Sequence, residues 1–248
     1  MSDDEEIGLS AAALAALGEF RREETERIEQ FEKLQAQALA KFDEAKAADA
    51  QADVDFAMDV FQEDWNLSQF WYSDATATTL ASALLEGLPT DRVARIALVS
   101  APTVYHKLRT MLAGRKDVEL YLLEHDDRFR VFGTEYIFYD FNEPLRNLND
   151  PRTGGTTPLK GTIDRILVDP PFLSDECHTK TAITARVLLN AESPARATVV
   201  CTGNKVEDIV ERIYPGIRRT TFRPEHARGL SNEFRCYATS ECAQWKFE

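Results

Sequence analysis

Asp169-Pro170-Pro171-Phe172 follow directly on the apolar run Ile166-Leu167-Val168. Proline has no N–H and biases the residue before it toward extended backbone. The Asp169 carboxylate and the nearby backbone carbonyls are therefore left as fixed acceptors. Phe172 adds a π face beside them. An amine nitrogen placed there meets acceptors and a ring together. The acceptors orient its lone pair. The ring tolerates the positive charge that grows on methylation, through cation–π attraction of about 0.5–2 kcal/mol. A plain strand terminator is the alternative reading of the same four residues.

Three further groups stand where apolar runs end. Ser100, Ala101 and Pro102 follow "RIALV" with no glycine, so the G-x-G-x-x-G turn of an ordinary NAD or FAD site is missing. Ser100 and the amides opening the next helix can still face a carboxylate or a ribose. Glu124 ends "VELYLLE", where an acid can accept from both hydroxyls of a ribose. A solvated loop acid is the alternative. Asp140-Phe141 follows "YIFY". That Asp can bond an adenine amino group while the next N–H and ring pack the base, though a turn Asp is commonplace. Upstream, Gln69-Phe70-Trp71-Tyr72 is too aromatic for an exposed linker. It either walls a pocket or staples the N-terminal arm to the body.

The elements that must position these residues alternate. Strands are expected at 95–100, 118–124, 135–140, 163–169 and 196–203, then at 216–224 and 232–241. Helices are expected at 102–114, 174–190 and 205–214, with residues 142–161 as a loop rich in Pro, Gly and Thr. Alternation with near-continuous apolar strands means an α/β fold, an open and mostly parallel sheet covered on both faces. Ligands in such sheets sit at the carboxyl ends of the strands, where the winding reverses. Residues 10–50 read as one long helix, rich in Ala, Glu, Lys and Leu. It is either an amphipathic helix docked on the body or a coiled coil.

The charge is unevenly spread. The 248 residues carry a formal net charge of −13. Residues 1–64 hold 18 acidic and 6 basic side chains, whereas 65–248 hold 24 and 23. An acidic N-terminal arm (1–64) and a nearly neutral body (65–248) are the expected domains. This balance argues against sequence-blind nucleic-acid binding, which rests on phosphate neutralisation, and suits a basic partner. The one cationic stretch, 216–230, can touch phosphate or receive an acidic loop. The four cysteines include no C-x-x-C pair, so buried free thiols are expected rather than a metal site. No apolar run approaches a membrane span and the acidic N-terminus is unlike a signal peptide, so an intracellular, cytoplasmic protein is expected.

"QFWYSDATATTLASALL", "VSAPTVYHKL", "LLEHDDRF", "YIFYDFN", "VDPPFLSDEC" and "NEFRCY" together resemble the eukaryotic elongation factor 1-alpha lysine methyltransferases. The likeness covers residues 9–20 and nearly all of 62–242. That family was once labelled N6-adenine-specific DNA methyltransferase because of its D-P-P-[FY] motif. The resemblance implies a seven-stranded class I (Rossmann-like) fold that uses S-adenosyl-L-methionine. It implies in-line transfer of a methyl group to a lysine of elongation factor 1-alpha. Ser100, Ala101 and Pro102 would line the methionine side, Glu124 take the ribose, and Asp140 and Phe141 hold the adenine. Asp169, Pro170, Pro171 and Phe172 would receive the amine, while Gln69, Trp71 and Tyr72 close the site. Asp169 would act mainly by orientation, with proton acceptance a further hypothesis. The rival readings are N6-adenine methylation of DNA or RNA and a non-catalytic scaffold. Nothing in the sequence decides the oligomeric state.

Overall fold

The computed structural model describes residues 69–229 and 233–248. The expected 10–50 helix and the boundary of the acidic arm at residue 64 lie outside the described residues.

A seven-stranded sheet organises the body. Its strands are β1 (Ala94–Val99), β2 (Val118–Glu124), β3 (Tyr136–Phe138), β6 (Arg165–Val168), β7 (Ala197–Gly203), β8 (Arg218–Arg219) and β9 (Phe234–Ala238). Their order is β3-β2-β1-β6-β7-β9-β8. Every pair from β3 to β7 is parallel, and β9 runs antiparallel to both β7 and β8. The chain moves outward from β1 through β2 to β3, then returns to add β6 on the other side of β1. The winding therefore reverses between β1 and β6.

Helices cover both faces, which is why the central strands are apolar throughout rather than alternating. α1 (Asp74–Leu85) and α2 (Pro102–Met111) pack on each other over one face. α3 (Asp175–Leu188) and α4 (Glu207–Ile213) cover the other. Ala97, Val99, Tyr121, Leu123, Ile166 and Val168 join Ala182, Ala185, Leu188 and Val210 in one buried cluster. Ile96 and Leu98 are equally buried and point to the opposite face, as the period of two in a strand requires.

Each expected element from 95 to 241 is present, with shifted ends. The largest shortfalls are at the edges: β3 keeps three residues and β8 two. β3 pairs with β2 alone, and short edge strands offer little template for stray pairing. The far side of β8 is covered by the chain's last residues, Glu248 N donating to Arg219 O at 3.1 Å. Two elements differ in kind. The loop at 142–161 contains a small hairpin, β4 (Asn149–Asp150) with β5 (Thr157–Pro158). Asp150 anchors it by accepting from Arg152 N at 3.0 Å and from the Tyr121 hydroxyl at 3.0 Å. The aromatic run at 69–72 leads straight into α1, whose first turn is capped by the Ser73 hydroxyl accepting from Thr76 N.

Candidate active site

The parallel ladder runs on for one bond past several strand ends. Asp169 N donates to Val99 O at 3.0 Å, Ser100 N to Leu123 O at 2.9 Å, and Tyr139 N to Glu124 O at 3.0 Å. Four strands thus release their next residues along one rim, at the point where the winding reverses. A cavity of about 510 Å³ opens there. Its walls include Gln69, Trp71, Tyr72, Ser100, Ala101, Pro102, Glu124, Asp140, Phe141, Asp169, Pro170, Pro171 and Phe172, the full set that the sequence singled out.

Each wall has a local cause. Ser100 has φ of +56°, a left-handed conformation unusual for a residue with a side chain. It makes the sharp turn into α2 that glycine makes in dinucleotide-binding loops. The helix then starts at Ala101 with no side-chain cap and with Pro102 in its first turn. Its first amides are left for a ligand. Glu124 is buried, and its Oε1 accepts from His125 N at 2.9 Å and Asp126 N at 3.3 Å. Its second oxygen has no hydrogen-bond partner among the described residues. Burial first, and Asp126 second, push the Glu124 carboxyl up to about 7. Asp126 in turn is neutralised by Arg128 at 2.5 Å and receives the Gln69 amide at 2.8 Å. Arg128 also donates to Gln69 Oε1 at 2.8 Å, so this triad fixes Gln69 to the loop after β2.

Asp140 Oδ1 accepts from Asn142 N at 2.8 Å, a tight turn that holds the carboxyl at the rim and lets Phe141 follow. The Phe141 ring meets Phe172 edge-on, centroids 5.7 Å apart. The two aromatic stations read from separate motifs are therefore neighbours. Phe172 remains 42% exposed at the mouth. Asp169 sits deeper, and its carboxyl is pushed up to about 8, chiefly by burial and further by Glu124, against the Tyr72 hydroxyl.

The sequence reading missed Thr103, His125, Tyr139, Asn142, Leu173, His226 and Phe234, which also line the cavity. Most flank a named residue. His226 and Phe234 do not. The segment after β8 pairs with the aromatic run: Ser73 N donates to Glu225 O at 2.9 Å and Ala227 N to Trp71 O at 2.8 Å. "NEFRCY", one of the blocks that carry the family resemblance, contains Phe234. Nothing local marks His226, which lies in the stretch read only as cationic. That stretch lends no Lys or Arg to the cavity. Arg218 stacks on Phe247, Arg219 pairs with Glu207 and Glu248, and Arg223 pairs with Glu233.

Among the described residues the lining carries three carboxyls, two imidazoles and no Lys or Arg. Such a cavity suits a cationic ligand and offers a phosphate no cationic side chain. It fits S-adenosyl-L-methionine in particular. A free Glu124 oxygen is available to a diol, ring and carboxyl at Asp140-Phe141 to a base, and uncapped amides of α2 to a carboxylate.

The sheet order, the rim cavity and its acidic and aromatic lining define a class I S-adenosylmethionine-dependent methyltransferase. Residues 63–242 match the family model described as "Probable N6-adenine methyltransferase". The chain is 44% identical over 250 residues to "Protein-lysine N-methyltransferase EFM5" of Saccharomyces cerevisiae, covering 96% of this chain and 94% of that one. It is 37% identical over 237 residues to human "EEF1A lysine methyltransferase 1", covering 96% and 94%. It is 38% identical over 247 residues to "Protein-lysine N-methyltransferase M142.8" of Caenorhabditis elegans, covering 96% of each. The chain belongs to this methyltransferase family.

Proposed function

We propose that the protein transfers a methyl group from S-adenosyl-L-methionine to a lysine ε-amine of translation elongation factor 1-alpha. The carrying observation is the cavity: acceptors and rings at the end of β6, with no cationic side chain among its described walls. The printed names of the relatives support the same substrate. Glu124 holds the ribose, Asp140 and Phe141 the adenine, and Ser100, Ala101 and Pro102 the methionine side. Gln69, Trp71 and Tyr72 close the site over them. Asp169, Pro170, Pro171 and Phe172 receive the amine. The cofactor supplies an electrophilic methyl on a sulfonium.

The chain's own contribution is orientation and electrostatics. The lysine must present a free lone pair, whereas its ordinary pKa is about 10.4. Desolvation between Phe172 and Phe141 favours the neutral amine. Ionised Asp169 favours the ammonium, so its part is to orient the nitrogen. A cation arriving beside Asp169 draws its raised carboxyl back toward the ionised, accepting form. A cytoplasmic setting goes with this substrate. Among the described residues no helix is long and apolar enough to cross a membrane.

The family model's description favours a second reading, N6-adenine methylation. An extruded base brings flanking phosphates, and the described walls offer them no cation. The test is transfer of labelled methyl to unmethylated elongation factor 1-alpha, single-stranded DNA and structured RNA in parallel, with Asp169→Ala as control. Label on the protein, lost in the variant, is expected. Label on nucleic acid alone overturns the lysine reading.

A further inference from the structure

A neutral primary amine has two N–H donors and one lone pair. In a methyl transfer the lone pair must face the electrophilic carbon, so both donors need acceptors elsewhere. Asp169 supplies one. On the lysine reading above, the second falls to a backbone carbonyl of the proline turn or to a side-chain oxygen near Asp169.

Tyr72 is 4% exposed and lines the cavity, and its hydroxyl closes no hydrogen bond of normal length and angle among the described residues. It faces the Asp169 carboxyl and the Cys201 thiol, and turning its one hydrogen toward Asp169 leaves its lone pairs open to a donor. The hydroxyl lies close enough to Asp169 for each to shift the other's proton equilibrium. Burial, then the Asp169 charge, hold the Tyr72 phenol well above its ordinary value, so it stays protonated. A phenol in that state can turn its hydrogen toward Asp169 and accept through its lone pairs.

His226 fixes the Tyr72 ring. The two residues form a backbone bridge between segments some 150 positions apart. The imidazole lies against the Tyr72 ring at 4.9 Å between centroids, and Phe234 and Phe70 meet it edge-on at 4.5 Å and 6.4 Å. Burial pushes the imidazole down to about 4, so it is neutral at pH 7 and does not repel an incoming cation. Its ring nitrogens make no hydrogen bond with the described residues, so what it provides is a ring packed among three others.

We propose that Tyr72 is a catalytic residue that accepts one N–H of the target amine, and that His226 is the positioning residue that holds Tyr72 in place.

The test uses the full chain, unmethylated elongation factor 1-alpha and single-turnover transfer. The variants are Tyr72→Phe, His226→Ala, His226→Phe and the double Tyr72→Phe/His226→Ala. Tyr72→Phe is expected to slow transfer by about 10- to 100-fold, the value of a hydrogen bond in a charged setting. Calorimetric affinity for S-adenosyl-L-methionine should stay within about twofold of wild type. The rise of rate with pH should also move to higher pH. The groups facing the Asp169 carboxyl are Tyr72, Glu124 and, from β7, Cys201. Removing the one donor among them that favours ionisation raises the Asp169 value. His226→Ala should cost about as much as Tyr72→Phe, and the double variant no more than either. His226→Phe, which keeps a ring between Tyr72 and Phe234, should restore most of the rate. His226→Leu replaces His226→Ala if thermal unfolding shows that the latter does not fold. Wild-type rates in Tyr72→Phe, loss confined to cofactor affinity, or losses that multiply in the double variant each overturn the proposal. Wild-type enzyme that labels only nucleic acid overturns the lysine reading itself.

Discussion

Asp169 carries two opposed demands at the scale of a single residue. An Asp carboxyl ordinarily titrates near 3.8, and in this cavity burial lifts it to about 8. Between those values the folded chain holds a proton that the unfolded chain has released. Stability must therefore fall as pH rises through that window. Glu124, lifted to about 7, acts in the same direction over the lower part of it. Asp169→Asn removes one such group without changing the shape of the rim. We expect the empty Asp169→Asn enzyme to melt above wild type at pH 8, with the gap closing toward pH 4. Each kcal/mol recovered should appear as roughly 2–4 °C in Tm. Scanning fluorimetry at both pH values decides it, and equal melting at pH 8 would mean that the carboxyl is not held away from solvent. The same variant should lose about 100-fold or more in methyl transfer. Gain of stability with loss of activity is the pattern of a residue kept for chemistry.

Elements convert such residues into a site, and the join between β7 and the Asp169–Phe172 turn shows how closely. A Cβ on Gly203, the last residue of β7, would stand 2.9 Å from Leu173 Cδ1. Leu173 follows Phe172 and is exposed, so its flexible end can yield without unfolding the sheet. Gly203→Ala should therefore cost under about 1 kcal/mol in stability. It should lower kcat/KM by roughly tenfold or more, because small displacements near the reacting atoms are expensive. A melting curve beside steady-state kinetics separates the two; wild-type kinetics would show that Leu173 moves independently of Phe172. The rim was legible in the sequence because its causes are local. Apolar runs stop at Ser100, Glu124 and Asp169, and proline marks the last of these. α1 has a local signal too, in the Ser73–Thr76 cap and the alanines that follow. The 149–158 hairpin had one in Asp150-Pro151 and Gly154-Gly155, both glycines taking positive φ. His226 had none. It reaches the cavity through bridges to residues 71–73, and pairing across some 150 residues leaves no periodicity to read.

Across the whole molecule, the two ends of the sheet treat charge differently. At the amino end of β6, Asp164 is fully buried and paired with Arg92, with Arg95 N at 3.0 Å and Ser193 Oγ at 2.5 Å. Removing one partner there would strand a charge, so that end serves the fold. At the carboxyl end the cavity's three carboxyls meet no Lys or Arg among the described walls. Their oxygens are left for what binds, and a cation arriving there draws the raised Asp169 and Glu124 carboxyls toward the ionised form. The chain as a whole carries −13, so its long-range field also favours a basic partner and opposes a polyanion. Two consequences follow for association. KM for elongation factor 1-alpha should rise severalfold as ionic strength goes from about 0.05 to 0.5 M, because the screening length falls from above to below about 10 Å. A single-stranded DNA oligonucleotide should bind no more tightly than about 10⁻⁴ M at physiological salt, the weak end of sequence-blind binding. Initial rates at graded salt and fluorescence anisotropy of labelled DNA measure the two. A salt-independent KM would place the contact energy in apolar surface at the mouth, around Phe172. Micromolar binding of DNA would instead require a cationic track that the described surface of the cavity does not contain.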